Sequence, residues 1–176
     1  MKKVMCQWLF AGFGLALLCG VHGCEQADSD TWPGDWALLE MEMLAEVNLR
    51  REAGSMCGDA WHPPVQALEM NEVIRVAARL HSLDMASQNF FEHESPDGRD
   101  PFERMSDAGY DGPDPWGENI QAGAYGAADA VASLVSSVTH CQNIMDPDYR
   151  VIGVGFASDV TSSYGAYWTQ TFGGGH

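Results

Sequence analysis

Residues 137–147 read SVTHCQNIMDP, which sets His140 directly beside Cys141. Imidazole and thiolate both bind metals and both act in catalysis, so the pair could serve one site or two. Side-chain direction bears on the choice. Neighbouring side chains diverge by roughly 100° on a helix and roughly 180° on a strand. His140 and Cys141 are therefore expected to face different surroundings, one stapling the fold and the other free to line a cleft.

The remaining cysteines bear on where the sulfur goes. Cys6 and Cys19 fall within residues 1–23, which have the layout of an export signal. Lys2 and Lys3 come first, followed by the apolar run WLFAGFGLALLCGV from Trp8 to Val21. That run is shorter than the roughly 20 residues a bilayer-spanning helix needs, although a permanent membrane anchor is the alternative. The end of the leader, GVHGC, leaves two outcomes. Cleavage after Gly23 would make Cys24 the first mature residue and its lipid attachment point, as in bacterial lipoproteins; ordinary signal-peptidase release would leave the protein unanchored. Either outcome places the mature chain in an oxidising compartment. Cys57 and Cys141 then remain as one candidate disulfide, with two free buried thiols as the alternative.

The formal net charge is −16, and the leader contributes only its two lysines, so the remainder is more acidic still. Such a surface repels phosphate backbones and argues against nucleic acid as a partner. It favours solubility and weak attraction of divalent cations, and it specifies no fold.

Residues 24–35 are polar and turn-rich and are expected to form a tether; residues 36–176 suit one folded domain. From Trp36 to about Ala53, Leu39, Met43 and Val47 recur at helical spacing until GSMCGDAWHPP breaks the pattern. The strongest helix signal is 70–91, with Asn71 as cap and Val73, Ala77, Leu80 and Asp84 or Met85 marking its stripe and edges. SPDGRDP is a turn cluster, PFERMSDAG a short helix closed by Gly109, and ENIQAG a short extended piece. AADAVASLVSSV, 127–138, predicts a further helix. RVIGVGFAS and YGAYWTQTFG predict an antiparallel hairpin across DVTSS. Helices first and a hairpin last specify an α+β fold.

Four stretches occur in a telling order: AARLHSLDMASQNFFEHESPDGRDPFERMSDAGY, GENIQAG, THCQNIMDPDYRVIGVGFA and YWTQTFG. Through them, residues 36–173 resemble the CAP (SCP-like) superfamily of cysteine-rich secretory proteins, insect venom antigens, plant pathogenesis-related proteins and many bacterial members. The chain is most similar to the bacterial branch in which the His-Cys cysteine accompanies an earlier Cys-Gly, here Cys57-Gly58. The resemblance implies a three-layer α-β-α sandwich with a central antiparallel sheet. It also implies a central cavity carrying two His and, in many members, two Glu. By motif, His93 of FFEHES matches the first His, Glu118 of GENI the first Glu, and His140 of THCQNIM the second His. The second Glu usually lies on the helix before the second His. In this chain that stretch, VASLVSSVT, offers only Ser133, Ser136 and Ser137, and the usual Trp is Leu134.

These residue types have their own chemical logic. Two imidazoles and a carboxylate suit Zn²⁺ with a water in the open position, and Ca²⁺ is the other candidate cofactor. Without metal, the same set forms a hydrogen-bonded network in which Glu118 fixes an imidazole tautomer. HExxH, GxSxG, a phosphate-cradling Gly loop and a cysteine nucleophile are all missing from the sequence. The expected function is therefore an exported or lipid-anchored envelope binding module rather than an enzyme. Its cavity would take a lipid, cell-wall or protein ligand. The alternative is a metal-dependent, peptidase-like hydrolase using His93, Glu118 and His140. A monomer is expected, touching a membrane only through a lipid on Cys24.

Other residues carry plainer expectations. His81 should be a packed or helix-capping histidine, and Glu92 and Glu94 should face solvent. Asn119 should bond local backbone, and Trp116 should lie at the cavity mouth. Tyr164, Tyr167, Trp168 and Phe172 should form sheet core and sheet face. His62 and His176 show no identifiable partner.

Overall fold

The computed structural model describes residues 32–174; the leader, Cys24, most of the tether and His176 lie outside the described residues. Helix α1 (Gly34–Ala53) buries Met43 and Val47 completely, with Leu39 packed beside them, as the spacing requires. It stops at Gly54, whose φ of +75° suits glycine and where a Cβ would stand 2.6 Å from the Trp61 ring. The helix-breaking stretch that follows is itself a small ribbon: β1 (Ser55–Cys57) pairs antiparallel with β2 (Ala60–His62). Strands this short are invisible to a search for alternation.

After the two-residue β3 (Glu69–Met70) comes α2 (Glu72–Gln88). The Asn71 side chain caps it, accepting from the Val73 and Ile74 N–H groups at 3.0 and 3.2 Å. A capping box between Asp100 and Glu103, with Pro101 in the first turn, starts α3 (Pro101–Asp107). Gly109 at φ +98° follows it. The remaining elements are β4 (Gly117–Ala122), α4 (Ala127–Ser136), α5 (Val138–Met145), β5 (Val151–Ser158) and β6 (Ala166–Gly173).

The main sheet has the order β3-β5-β6-β4. It is antiparallel across β5, β6 and β4, in registers running from Val151↔Gly173 and Gly117↔Phe172. Only β3 runs parallel, to β5, over two residue pairs. Alternation sorts the two faces. Ile152, Val154, Phe156, Trp168 and Phe172 pack against α1, α4 and α5, in one core with Met43, Val47, Leu134 and Ile144. Gly153, Gly155, Thr169 and Thr171 lie under α2. Helices thus cover both faces, the expected three-layer α+β arrangement.

Two helices depart in detail from the sequence pattern. The buried face of α2 is Ile74, Ala77, Ala78, His81, Ser82 and Met85, while Val73 and Leu80 are 37% and 40% exposed. The helix is rotated from the Val73–Leu80 stripe because it seats on two glycines. A Cβ at Gly153 would lie 2.4 Å from the Ile74 carbonyl carbon, and one at Gly155 2.3 Å from that of Ala78. The helix expected over 127–138 breaks at Ser137, which is extended (φ −92°, ψ 128°). Its carbonyl then accepts the first bond of α5, from the Cys141 N–H at 2.9 Å. The break aims Cys141 at β1, and a disulfide joins it to Cys57 across 5.4 Å between Cα atoms. The free-thiol alternative falls away.

Two buried charged residues tie the layers together. Glu40 accepts from Arg75 and Arg79 at 2.8 and 2.7 Å, from the Trp32 indole at 2.9 Å and from the Phe156 N–H at 3.3 Å. Arg51 donates to the Gln66, Ile144 and Asp146 carbonyls at 2.7, 2.7 and 2.9 Å, closing the C-terminus of α5. Burial pulls the Arg51 guanidinium down to about 10. Tyr167, Trp168 and Phe172 are fully buried in the sheet as expected, but Tyr164 is not sheet core. It precedes β6, is 51% exposed and packs on Phe91.

Candidate functional site

β4 is the last strand of the sheet, so its outer margin carries no further strand and its two faces look onto different helices. Glu118 points to the α2 and α3 side, where it meets Arg104; Asn119 points to the α5 side. Sequence-predicted residues therefore reach this margin from two directions. His93 arrives on the loop between α2 and α3, and His140 arrives on α5.

His93 Nδ1 lies 2.8 Å from Glu118 Oε1. An ionised carboxylate only accepts, so Nδ1 carries a proton, and in the neutral form of the ring Nε2 is then the acceptor. Half of the His93 side chain is solvent-exposed, whereas the Glu118 side chain is almost wholly buried. The second oxygen, Oε2, receives Arg104 Nη2 at 2.7 Å. Both carboxylate oxygens are therefore engaged, one by an imidazole and one by a buried guanidinium.

Arg104 escaped sequence reasoning, because an arginine on a short helix reads as a solvated side chain. Its other nitrogen, Nη1, donates to the His93 carbonyl (2.9 Å), the Ser95 hydroxyl (3.0 Å) and the Arg99 carbonyl (3.0 Å). The loop is further folded on itself by Ser95 N–H to Arg99 O and Gly98 N–H to Ser95 O. From α2, the fully buried His81 donates Nε2–H to the Glu92 carbonyl at 3.0 Å. Its Nδ1 faces the Ser95 hydroxyl at 3.5 Å. Burial drives the His81 pKa down to about 4, overriding the favourable charge of Glu118. It is the packed histidine expected. Glu92 and Glu94 face solvent, as expected.

On the opposite face, the His140 carbonyl accepts from Asn119 Nδ2 at 3.1 Å. Asn119 Oδ1 accepts from Asn143 Nδ2 at 2.8 Å, and Asn143 also donates to the Glu118 carbonyl at 3.3 Å. Asn119 was expected to bond local backbone; instead it joins β4 to a helix 21 residues away. The two backbone carbonyls fix the polarity of both amides, so Gln170 must present Oε1 to Asn119, at 3.0 Å. Among the described residues, Gln170 Nε2 and Gln121 Oε1 are buried without a hydrogen-bond partner. The His140 ring is half-buried, and that burial lowers its pKa below the ordinary imidazole value. The charge of the nearby His93 acts in the same direction.

Among the described residues, no three His, Cys, Asp or Glu side chains are placed to hold one metal ion. Glu118 is withdrawn from that role by Arg104. By donor chemistry alone, imidazole nitrogens such as His93 Nε2 and those of His140 would suit a cation such as Zn²⁺; hard Ca²⁺ needs free oxygen ligands, which Glu118 does not supply. Ser133, Ser136 and Ser137, which occupy the stretch of the absent second Glu, bond locally: Ser136 Oγ to Ser133 O, and Ser137 Oγ beside Thr139 Oγ1. Trp116, expected at the cavity mouth, packs on Tyr110 and donates to the Gly112 carbonyl.

Comparison with known proteins agrees with this architecture. A family model described as "Cysteine-rich secretory protein family", CAP, matches residues 46–172. An uncharacterized protein of Bacillus subtilis, YkwD, is 34% identical over 108 residues, covering 61% of this chain and 40% of that protein. The chain thus spans well under half of that relative's length. A crystal structure of an extracellular SCP-domain protein from Bacillus anthracis superposes with a TM-score of 0.61 at 22% identity, over 80% of this chain and 43% of that one. An outer surface protein of Borrelia burgdorferi superposes with a TM-score of 0.63 at 16% identity, over 78% and 93%. With most of its length matched by the family model, and with α2, β4, α5 and the closing hairpin in the family's order, the chain belongs to the CAP, or cysteine-rich secretory protein, family.

Proposed function

We propose that this protein is an exported binding module that engages its ligand through His93 and His140 at the free margin of β4. The observation that carries the reading is the double engagement of Glu118 by His93 and Arg104. A hydrolase built on His93, Glu118 and His140 needs a carboxylate that can ligate a metal or take a proton from water. Here that carboxylate is spent on orienting one ring. What remains is two imidazoles, each partly open to solvent, a pair suited to polar groups of a ligand. Zn²⁺ held by the two rings would supply a polarising centre for a ligand oxygen. Export is supported by the leader of residues 1–23 and by similarity to proteins described as extracellular or outer-surface. A lipid on Cys24 would hold the module at a membrane, leaving an envelope lipid, a cell-wall fragment or an envelope protein as the ligand.

The test is retention. Purified protein is incubated with envelope lipids, with cell-wall fragments and with solubilised envelope proteins, washed, and analysed by mass spectrometry. A His93→Ala, His140→Ala double variant is treated alongside. Retention of a species by the wild type and its loss from the double variant is expected. Failure of the wild type to retain anything from any fraction overturns the proposal. Chelator-sensitive peptide hydrolysis lost in the double variant would transfer support to the hydrolase.

A further inference from the structure

His93 can offer Nε2 to a ligand only while its other nitrogen keeps the proton, and that proton is accepted by Glu118 Oε1. A buried carboxylate has no intrinsic reason to serve that ring. Left without a cationic partner it would be an uncompensated charge, which is costly inside a protein. Arg104 removes that difficulty and does more. Its guanidinium is planar and rigid, with donors that diverge in fixed directions. Nη2 takes the Glu118 oxygen that His93 does not use, at 2.7 Å. Nη1 takes three acceptors of the His93 loop, including the His93 carbonyl itself. One buried group therefore fixes the carboxylate on β4 and the backbone that presents the ring. The capping box of α3 is what places Arg104 at this depth, since it sets the helix start four residues earlier, at Asp100.

We propose that Arg104 is the positioning residue of this site, holding Glu118 as a dedicated acceptor for His93 Nδ1–H and anchoring the His93 loop, so that an unprotonated Nε2 faces the ligand. The inference rests on the reading of His93 as a ligand-contacting residue, but its test needs no ligand. It also separates two roles that look alike in sequence. Glu118 orients and Arg104 positions, while contact with the ligand falls to the two imidazoles.

The experiment is ¹⁵N nuclear magnetic resonance of the histidine rings in ligand-free protein, at a pH about 2 units above the ordinary imidazole value. In the wild type, the pyridine-like nitrogen signal of His93 is expected at Nε2. In Arg104→Met the carboxylate loses the partner of Oε2 and the loop loses three bonds, so the His93 signals should move to a mixture of both tautomers. The His140 ring, on α5 and without a bond to Arg104, should keep its signals. Arg104→Lys keeps the charge without the fork and should fall between the two; it serves if the Met variant fails to fold. A wild-type His93 protonated at Nε2 overturns the proposal outright. So does a folded Met variant, or a Lys variant, with His93 signals identical to wild type. Because no ligand enters the measurement, failure here would leave the binding reading standing, and absence of any retained ligand would leave this one standing.

Discussion

His81 shows how a single side chain can carry pH dependence. Its pKa is about 4 in the folded protein, chiefly because it is buried, against an ordinary 6.5 in the unfolded chain. Above about pH 6.5 both states hold a neutral ring and His81 costs nothing. As pH falls from there to about 4, the unfolded chain binds the proton first and stability drops, by a few kcal/mol at most and on the order of 3 kcal/mol from this group. Thermal unfolding between neutral pH and pH 4 should therefore show a falling midpoint in the wild type. His81→Gln retains a donor for the Glu92 carbonyl without the titration, and its curve should be flatter; parallel curves would refute the assignment. At this scale the sequence was informative about His93, Glu118 and His140, whose types and motifs announce chemistry. It was silent about Arg104 and Glu40. Both sit at helix positions where a charge ordinarily meets water, and only the tertiary neighbours reveal why each is buried.

Among the elements, the contact of α2 with β5 is the most exacting. Gly153 and Gly155 let the helix backbone approach the strand closely, and Thr171 Oγ1 donates to the Ile74 carbonyl at 3.1 Å across the same contact. Gly155→Ala should cost about 2–3 kcal/mol, because the added methyl meets backbone rather than a side chain that can swing away. Chemical denaturation checks this. Val73→Ser, on the outward face of the same helix, should stay within about 0.5 kcal/mol of wild type. The contrast explains the limit of pattern reading for α2. Helix existence, length and cap were legible, whereas the buried face was set by glycines more than 60 residues away in the chain. The break at Ser137 has the same character. Local propensity favours continuing the helix, and the disulfide and sheet packing of α5 decide otherwise.

Among the described residues, one disulfide and two buried ion clusters, Glu40 with Arg75 and Arg79 and Glu118 with Arg104, tie distant segments together. The Cys57–Cys141 bond spans 84 residues and holds the β1–β2 ribbon against α5. Its removal by a Cys57→Ser, Cys141→Ser double substitution should lower stability by about 4 kcal/mol, most of it through the greater freedom of the unfolded chain. The midpoint of denaturant unfolding measures this; an unchanged midpoint would mean that packing alone holds the ribbon. Helix α5 sends the Cys141 sulfur to β1, while the backbone carbonyl of its neighbour His140 is bonded to Asn119 of β4.

The Phe156 amide has a further consequence. Among the described residues, no strand covers the outer side of β5 beyond Ile152, and the carboxylate of Glu40 accepts the Phe156 N–H there in place of a neighbouring strand's carbonyl. A side chain thus blocks what would be a template for intermolecular strand addition. Glu40→Ala would strip away that plug and leave Arg75 and Arg79 without their shared counter-charge. The expected result is self-assembly into fibres under mildly destabilising conditions, read by amyloid-dye fluorescence, at concentrations where the wild type stays dispersed.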